Sequence, residues 1–211
     1  MSDIYKTIEE IGIIPVIKLK NVEDAVPLAK ALVQGGIPIA EVTFRAEGAA
    51  QVISAMAQQV PEITVGAGTV LTKAQADEAI AAGAKFIVSP GLNPTVVSYV
   101  LEKGIPMIPG CMTPSEIEAA LEMGLDKLKF FPAEASGGMK MIKAMSGPYG
   151  GVRFIPTGGI SPANLETYLS SDKILAVGGS WMVKEDLLNA KAFDEITRLC
   201  REAVQIKKNV R

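Results

Sequence analysis

The chain has 211 residues, 48% of them apolar and 21% charged, with mean hydropathy +0.28, which fits one large core and excludes both intrinsic disorder and a long uncharged membrane span. Lysine plus arginine is 21 against 23 acids, so the net charge of −2 offers no basic stripe to a nucleic-acid backbone. Histidine is absent, which removes Ser–His and Cys–His nucleophile pairs and the commonest zinc ligand, so chemistry falls to Lys, Arg, Glu, Asp, Thr, Ser and the backbone, with neither metal nor cofactor expected.

Residues 1–12 read as an extra N-terminal helix, and their acids stand where a signal peptide would be basic and then apolar; with only Cys111 and Cys200 available for disulfides, the expected compartment is the cytoplasm. β-branched or apolar runs then begin near Ile13, Ile39, Thr64, Phe86, Met107, Lys127, Arg153 and Leu175, about 23 residues apart on average. Stretches of helical spacing lie between them at 22–33, 49–57, 72–82, 94–101, 114–123 and 162–169, and residues 193–208 read as a closing helix. Strand followed by helix eight times predicts a single α/β domain over residues 1–211, a (β/α)8 TIM barrel. Runs such as IIPVI, KFIVS and ILAVG are apolar on both faces, as strands between a packed interior and a helical ring must be. Thr72, Asn93, Thr113 and Ser161 are placed as N-caps, with prolines at N1 after the last three, and Gly35, Gly83, Gly104 and Gly124 as helix ends.

In such barrels the reactive groups project from the carboxyl ends of strands. The second strand closes in Glu41-Val42-Thr43-Phe44-Arg45, where a period of two puts Glu41, Thr43 and Arg45 on one face. An acid and a guanidinium then face the interior, either as a site or as a structural ion pair. The sixth strand runs Lys127-Leu128-Lys129-Phe130-Phe131, which sets Lys129 at the carboxyl end among aromatics. A nucleophilic lysine needs its neutral amine, and burial beside Phe130 and Phe131 together with the cation of Arg45 favours that form; the alternative is a lysine that reaches out to solvent. Thr157-Gly158-Gly159 after the seventh strand and Gly178-Gly179-Ser180 after the eighth are the loops from which barrels bind phosphate through backbone amides, although either Gly-Gly alone marks only a tight turn. Thr69, after Gly66-Ala67-Gly68, is placed either to donate to a substrate carboxylate or to cap the next helix. Cys111 has no histidine to serve as its base and reads as a small apolar filler.

Taken together, Glu41-Val42-Thr43-Phe44-Arg45, Gly66-Ala67-Gly68-Thr69-Val70, Ser89-Pro90-Gly91, Lys129-Phe130-Phe131-Pro132-Ala133-Glu134, Pro156-Thr157-Gly158-Gly159-Ile160 and Gly178-Gly179-Ser180-Trp181 resemble the signatures of the 2-keto-3-deoxy-6-phosphogluconate (KDPG) aldolases, the bifunctional KDPG/KHG aldolase family. The resemblance covers nearly the whole chain. It implies a metal-independent class I lyase that cleaves KDPG to pyruvate and glyceraldehyde 3-phosphate in the Entner–Doudoroff pathway, with 4-hydroxy-2-oxoglutarate (KHG) as a second substrate, and a homotrimer. It also implies that Lys129 is the Schiff-base lysine and Glu41 the acid/base. By the same resemblance Arg45 and Thr69 bind the pyruvate carboxylate, Phe131 and Pro90 line the substrate, and Gly158, Gly159 and Ser180 hold phosphate, with Thr157 and Gly179 in the same loops. Two other readings compete: a phosphate-binding barrel isomerase or epimerase, which needs no lysine, and a trimeric scaffold derived from such a barrel.

Overall fold

The computed structural model describes residues 4–211; the first three residues of the expected N-terminal helix lie outside that range. Helix α1 (Ile4–Ile11) precedes β1 (Ile13–Ile17), and strands and helices then alternate: α2 (Ala25–Gln34), β2 (Ile39–Thr43), α3 (Ala49–Gln59), β3 (Thr64–Gly68), α4 (Lys73–Ala81), β4 (Ile87–Val88), α5 (Pro94–Glu102) and β5 (Met107–Ile108). The second half continues with α6 (Pro114–Glu122), β6 (Lys127–Phe130), α7 (Gly138–Ser146), β7 (Arg153–Pro156), α8 (Pro162–Leu169), β8 (Val177–Gly179), α9 (Glu185–Asn189) and α10 (Phe193–Lys208). Every strand pairing is parallel, the outcome expected when each strand is followed by a crossover helix.

The expected continuous eight-strand ladder is not what the hydrogen bonds give. One sheet has six strands in the order β5-β4-β3-β2-β1-β8, and β6 pairs with β7 in a second. At the two junctions the ladder shrinks to isolated bridges, Gly110 with Lys129 at one and Phe154 with Ile174 and Thr157 with Gly178 at the other. The reason is strand length: β4 and β5 are two residues long and β8 three, so the sheet has little edge to offer β6 and β7. Backbone bonds still cross both junctions, from the Lys129 amide to the Pro109 carbonyl (2.9 Å) and from the Leu175 amide to the Phe154 carbonyl (2.9 Å).

Strands β1 and β2 are buried along their whole length, as doubly covered parallel strands must be. Helix boundaries follow their caps. Thr72 accepts from the Gln75 amide, Asn93 accepts from the Thr95 amide, and Thr113 and Glu116 form a reciprocal box. One stop is displaced: after α2 the left-handed residue is Gly36 (φ +84°), not Gly35, whose missing side chain instead admits Cβ of Cys200 on α10. Helix α7 has no counterpart among the helical stretches read from the sequence, because it opens on glycine and its apolar positions are mostly methionine.

Candidate active site

The carboxyl ends of the strands surround a cavity of about 240 Å³. Strand β2 sends Glu41 into it and β6 sends Lys129, two side chains only 3% and 7% exposed, with Lys129 Nζ 3.1 Å from Glu41 Oε1. Burying a lone charge is costly, so each of these groups depends on the other and on whatever polar ligand enters. Glycines make the space. Glu41 stands between β1 and β3, in register with Val16 on one side and Gly66 on the other. A methyl group at Gly68 would overlap the Glu41 carboxylate, and one at Gly66 would run into the ring of Phe86. Lys129 Nζ lies 5.6 Å from the centroid of Phe131, within cation–π range.

Phe130, expected beside the amine, points elsewhere: it is fully buried and packs edge-on against Phe154, 6.3 Å between centroids. Alternation along β6 makes this unavoidable, since neighbours on a strand face opposite ways. Lys127, on the Lys129 face but at the other end of the strand, is tied to Asp126 at 2.6 Å. Arg45 sits one residue beyond the turn residue Phe44 rather than on β2 itself, is exposed, and reaches the cavity with its Nε donating to Thr43 Oγ1 at 3.4 Å. Thr69 also lines the cavity, with φ +56°, while the cap of α4 is supplied by Thr72, so its side chain is not spent on the helix.

Pro90 forms another wall, at a turn where Ser89 Oγ donates to the Gly91 carbonyl (2.7 Å) and Gly110 leaves room for the Pro90 carbonyl. Thr157, Gly158, Gly159, Gly179 and Ser180 edge the opposite side. Gly158 and Gly159 have φ of +100° and +80°, a turn conformation that suits glycine. Their loop pairs with the segment after β6, the Ala133 amide donating to the Thr157 carbonyl (2.8 Å) and the Glu134 amide to the Gly158 carbonyl (3.1 Å). Tyr168 on α8 donates to Glu134 in a short hydrogen bond; burial, then that bond, push the phenol well above its usual range.

All eleven residues singled out from the sequence therefore border one cavity. Val16, Thr43, Ile160 and Gly178 border it as well. The period-two alternation from Glu41 was the available signal for Thr43; Val16 and Ile160 are apolar wall that nothing in the sequence distinguishes from core. Cys111 is buried, its thiol raised to about 12 by burial and by Glu116. Among the described residues no group of three or more His, Cys, Asp or Glu is placed to hold a metal ion, and no helix is long and apolar enough to cross a membrane.

A parallel α/β fold carrying a buried amine against a carboxylate at its strand ends, with an arginine and a glycine-rich rim around them, is the frame of a lysine-centred carbonyl enzyme. The family model described as KDPG and KHG aldolase matches residues 4–199. The 2-dehydro-3-deoxy-phosphogluconate aldolase of Treponema pallidum is 50% identical over 206 residues, 98% of each chain, and the KHG/KDPG aldolase of Escherichia coli is 51% identical over 193 residues, covering 92% of this chain and 91% of that one. Among solved structures, KDPG aldolase from Legionella pneumophila, with pyruvate captured as a covalent carbinolamine, superposes with TM-score 0.88 at 43% identity, covering 91% of this chain and 93% of that one. The Zymomonas mobilis enzyme with 3-phosphoglycerate gives 0.88 at 38% identity over 94% of each chain. The chain belongs to the KDPG and KHG aldolase family.

Proposed function

We propose that this protein is a class I carbon–carbon lyase that cleaves KDPG to pyruvate and glyceraldehyde 3-phosphate, with KHG, which would give pyruvate and glyoxylate, as a second substrate. The observation that carries the reading is the buried Lys129–Glu41 contact of 3.1 Å inside the strand-end cavity. Lys129 adds through Nζ to the C2 ketone, water leaves the carbinolamine, and the protonated imine accepts the electron pair of the C3–C4 bond as that bond breaks. Glu41 serves as the acid/base: it delivers the proton that lets water depart, takes the proton of the C4 hydroxyl, which becomes the aldehyde, and returns it to C3 of the resulting enamine, after which water adds to the imine and frees pyruvate and the Lys129 amine. Arg45 and Thr69 hold the substrate carboxylate at one end, with Pro90 and the Phe131 ring as walls. The amides around Gly158, Gly159 and Gly179, with the hydroxyl of Ser180, receive the phosphate at the other end, and Thr157 stands in the same loop. The captured carbinolamine of the Legionella relative and the 3-phosphoglycerate of the Zymomonas relative support the two ends of this assignment.

The same reading takes the eight strands as one closed ring over a single domain, supported by the isolated bridges at both junctions and by one core cluster running from Ile8 to Ala203. It also takes the working form as a cytoplasmic homotrimer. Two buried, unpaired cysteines suit a reducing compartment, and exposed Leu71, Leu121 and Met141 are apolar surface of the kind subunit contacts cover.

Pyruvate with borohydride tests the function: the reduced three-carbon adduct should appear on Lys129 alone by peptide mass spectrometry, and cleavage of KDPG should continue in the presence of a chelator. Label on Lys127, or none, overturns the assignment.

A further inference from the structure

Thr43 closes β2 inside the cavity and is 1% exposed. Its Oγ1 donates to the carbonyl of Ile17 at the end of β1 (2.8 Å) and accepts from Arg45 Nε (3.4 Å). A threonine hydroxyl has one proton and two lone pairs. With the proton committed to Ile17, what the oxygen offers the cavity is an acceptor only. Such an atom repels a carboxylate and attracts a guanidinium N–H, so Thr43 is ill suited to touch a keto acid and well suited to hold the arginine that does.

Arg45 needs holding. It stands on a turn past the strand, is exposed, and swings on a long side chain whose ordering would otherwise subtract from affinity. The turn is anchored by the Phe44 amide, which donates to the Gly68 carbonyl (2.8 Å), yet that bond leaves the Arg45 side chain unconstrained. Thr43 is rigid by contrast: it is β-branched, buried, and bonded to the neighbouring strand.

We propose that Thr43 is a positioning residue that engages Arg45 through Nε and so presents both Nη groups to the substrate carboxylate. The proposal rests on the reading of Arg45 as the carboxylate binder. Its consequence is specific: Thr43 contributes to saturation by pyruvate through the orientation of Arg45, and not to the proton transfers at Glu41.

Thr43→Val keeps the shape and removes the oxygen; Thr43→Ala is the second variant, and Thr43→Ser restores the hydroxyl. The measurements are the pyruvate concentration giving half-maximal borohydride inactivation, and KM and kcat for KDPG. Thr43→Val and Thr43→Ala should each raise the half-saturating pyruvate fivefold or more, with KM rising by more than kcat falls, while Thr43→Ser stays within about twofold of the unaltered enzyme. Added to Arg45→Lys, which lacks Nε, Thr43→Val should cost nothing further. Unchanged pyruvate saturation in Thr43→Val, or a serine variant as impaired as the valine one, overturns the proposal. If Arg45→Lys is impaired while Thr43→Val is not, Thr43 alone is misassigned; if Arg45→Lys saturates normally, the reading of Arg45 has failed and takes the proposal with it. A readout free of Thr43 variants is the 15N signal of the Arg45 Nε–H, assigned by its loss in Arg45→Lys: protection from solvent exchange is expected, and exchange at the rate of a free arginine overturns the proposal.

Discussion

Glu41 Oε1 lies 3.1 Å from Lys129 Nζ although the two residues are 88 positions apart in the chain. Glu41 is the middle residue of β2 and Lys129 the third of the four residues of β6, and the curl of the parallel strands turns the two side chains into one cavity. With Glu41 in the acid/base role, Glu41→Gln keeps the volume and loses the proton transfer. We expect kcat to fall about 10²-fold or more by steady-state assay, with borohydride still trapping pyruvate slowly on Lys129. Unaltered turnover would move the acid/base role to another group.

The carboxylate occupies the space that Gly68 leaves vacant, which separates two glycines two positions apart in the same motif. Gly68→Ala forces Glu41 aside, so kcat per folded molecule should drop tenfold or more. Gly66→Ala collides with the Phe86 ring, outside the cavity lining, and should instead lower stability by about 1–3 kcal/mol while the folded fraction remains active. Thermal melts paired with active-site titration distinguish the two.

The rim opposite Arg45 should read the phosphate. Ser180 is exposed and its hydroxyl bonds no other group among the described residues, so Ser180→Ala should raise KM for KDPG several-fold and leave KM for KHG within about twofold. Gly159→Val is more severe, since φ is +80° and the new Cβ would lie 2.6 Å from Cβ and Cγ of Glu134. It should raise KM for KDPG tenfold or more, about 1.4 kcal/mol of binding, with pyruvate trapping largely retained. Equal loss of both activities in a folded variant would mean that the rim shapes the whole cavity mouth.

Both thiols are raised from 9.0 to about 12, Cys111 by burial and Glu116 and Cys200 by burial alone. Native protein at pH 8 should therefore react with neither thiol reagent equivalent, and denatured protein with both. The folded state holds these protons more tightly than the unfolded chain, so the stabilisation is complete below pH 9 and is lost as pH rises from about 9 toward 12, at about 1.4 kcal/mol per pH unit for each thiol. Denaturant melts at pH 8.5 and 10 should show a shallower decline in the Cys111→Ala/Cys200→Ala double variant.

The sequence by itself determined the alternation of strands and helices, the caps, the lysine-and-carboxylate choice of chemistry left by the absence of histidine, and the residues near strand ends, because a period of two, a proline at N1 or a Gly-Gly pair is a local signal. What it could not decide was anything set by contacts between distant segments. Phe130 and Phe131 are adjacent letters, yet only the second faces Lys129, the first being claimed by Phe154. Thr69 and Thr72 are both plausible caps by spacing, and the fold gives the cap to Thr72 while leaving Thr69 to the cavity. Thr43 carries no motif of its own; its acceptor role exists only because Ile17, on another strand, takes its proton. Where the ladder thins to isolated bridges was likewise a matter of how much edge each short strand offers its neighbour. Local propensity chooses the elements, but the direction of a side chain and the partner that uses up its hydrogen-bonding capacity are fixed by packing between elements far apart in the chain.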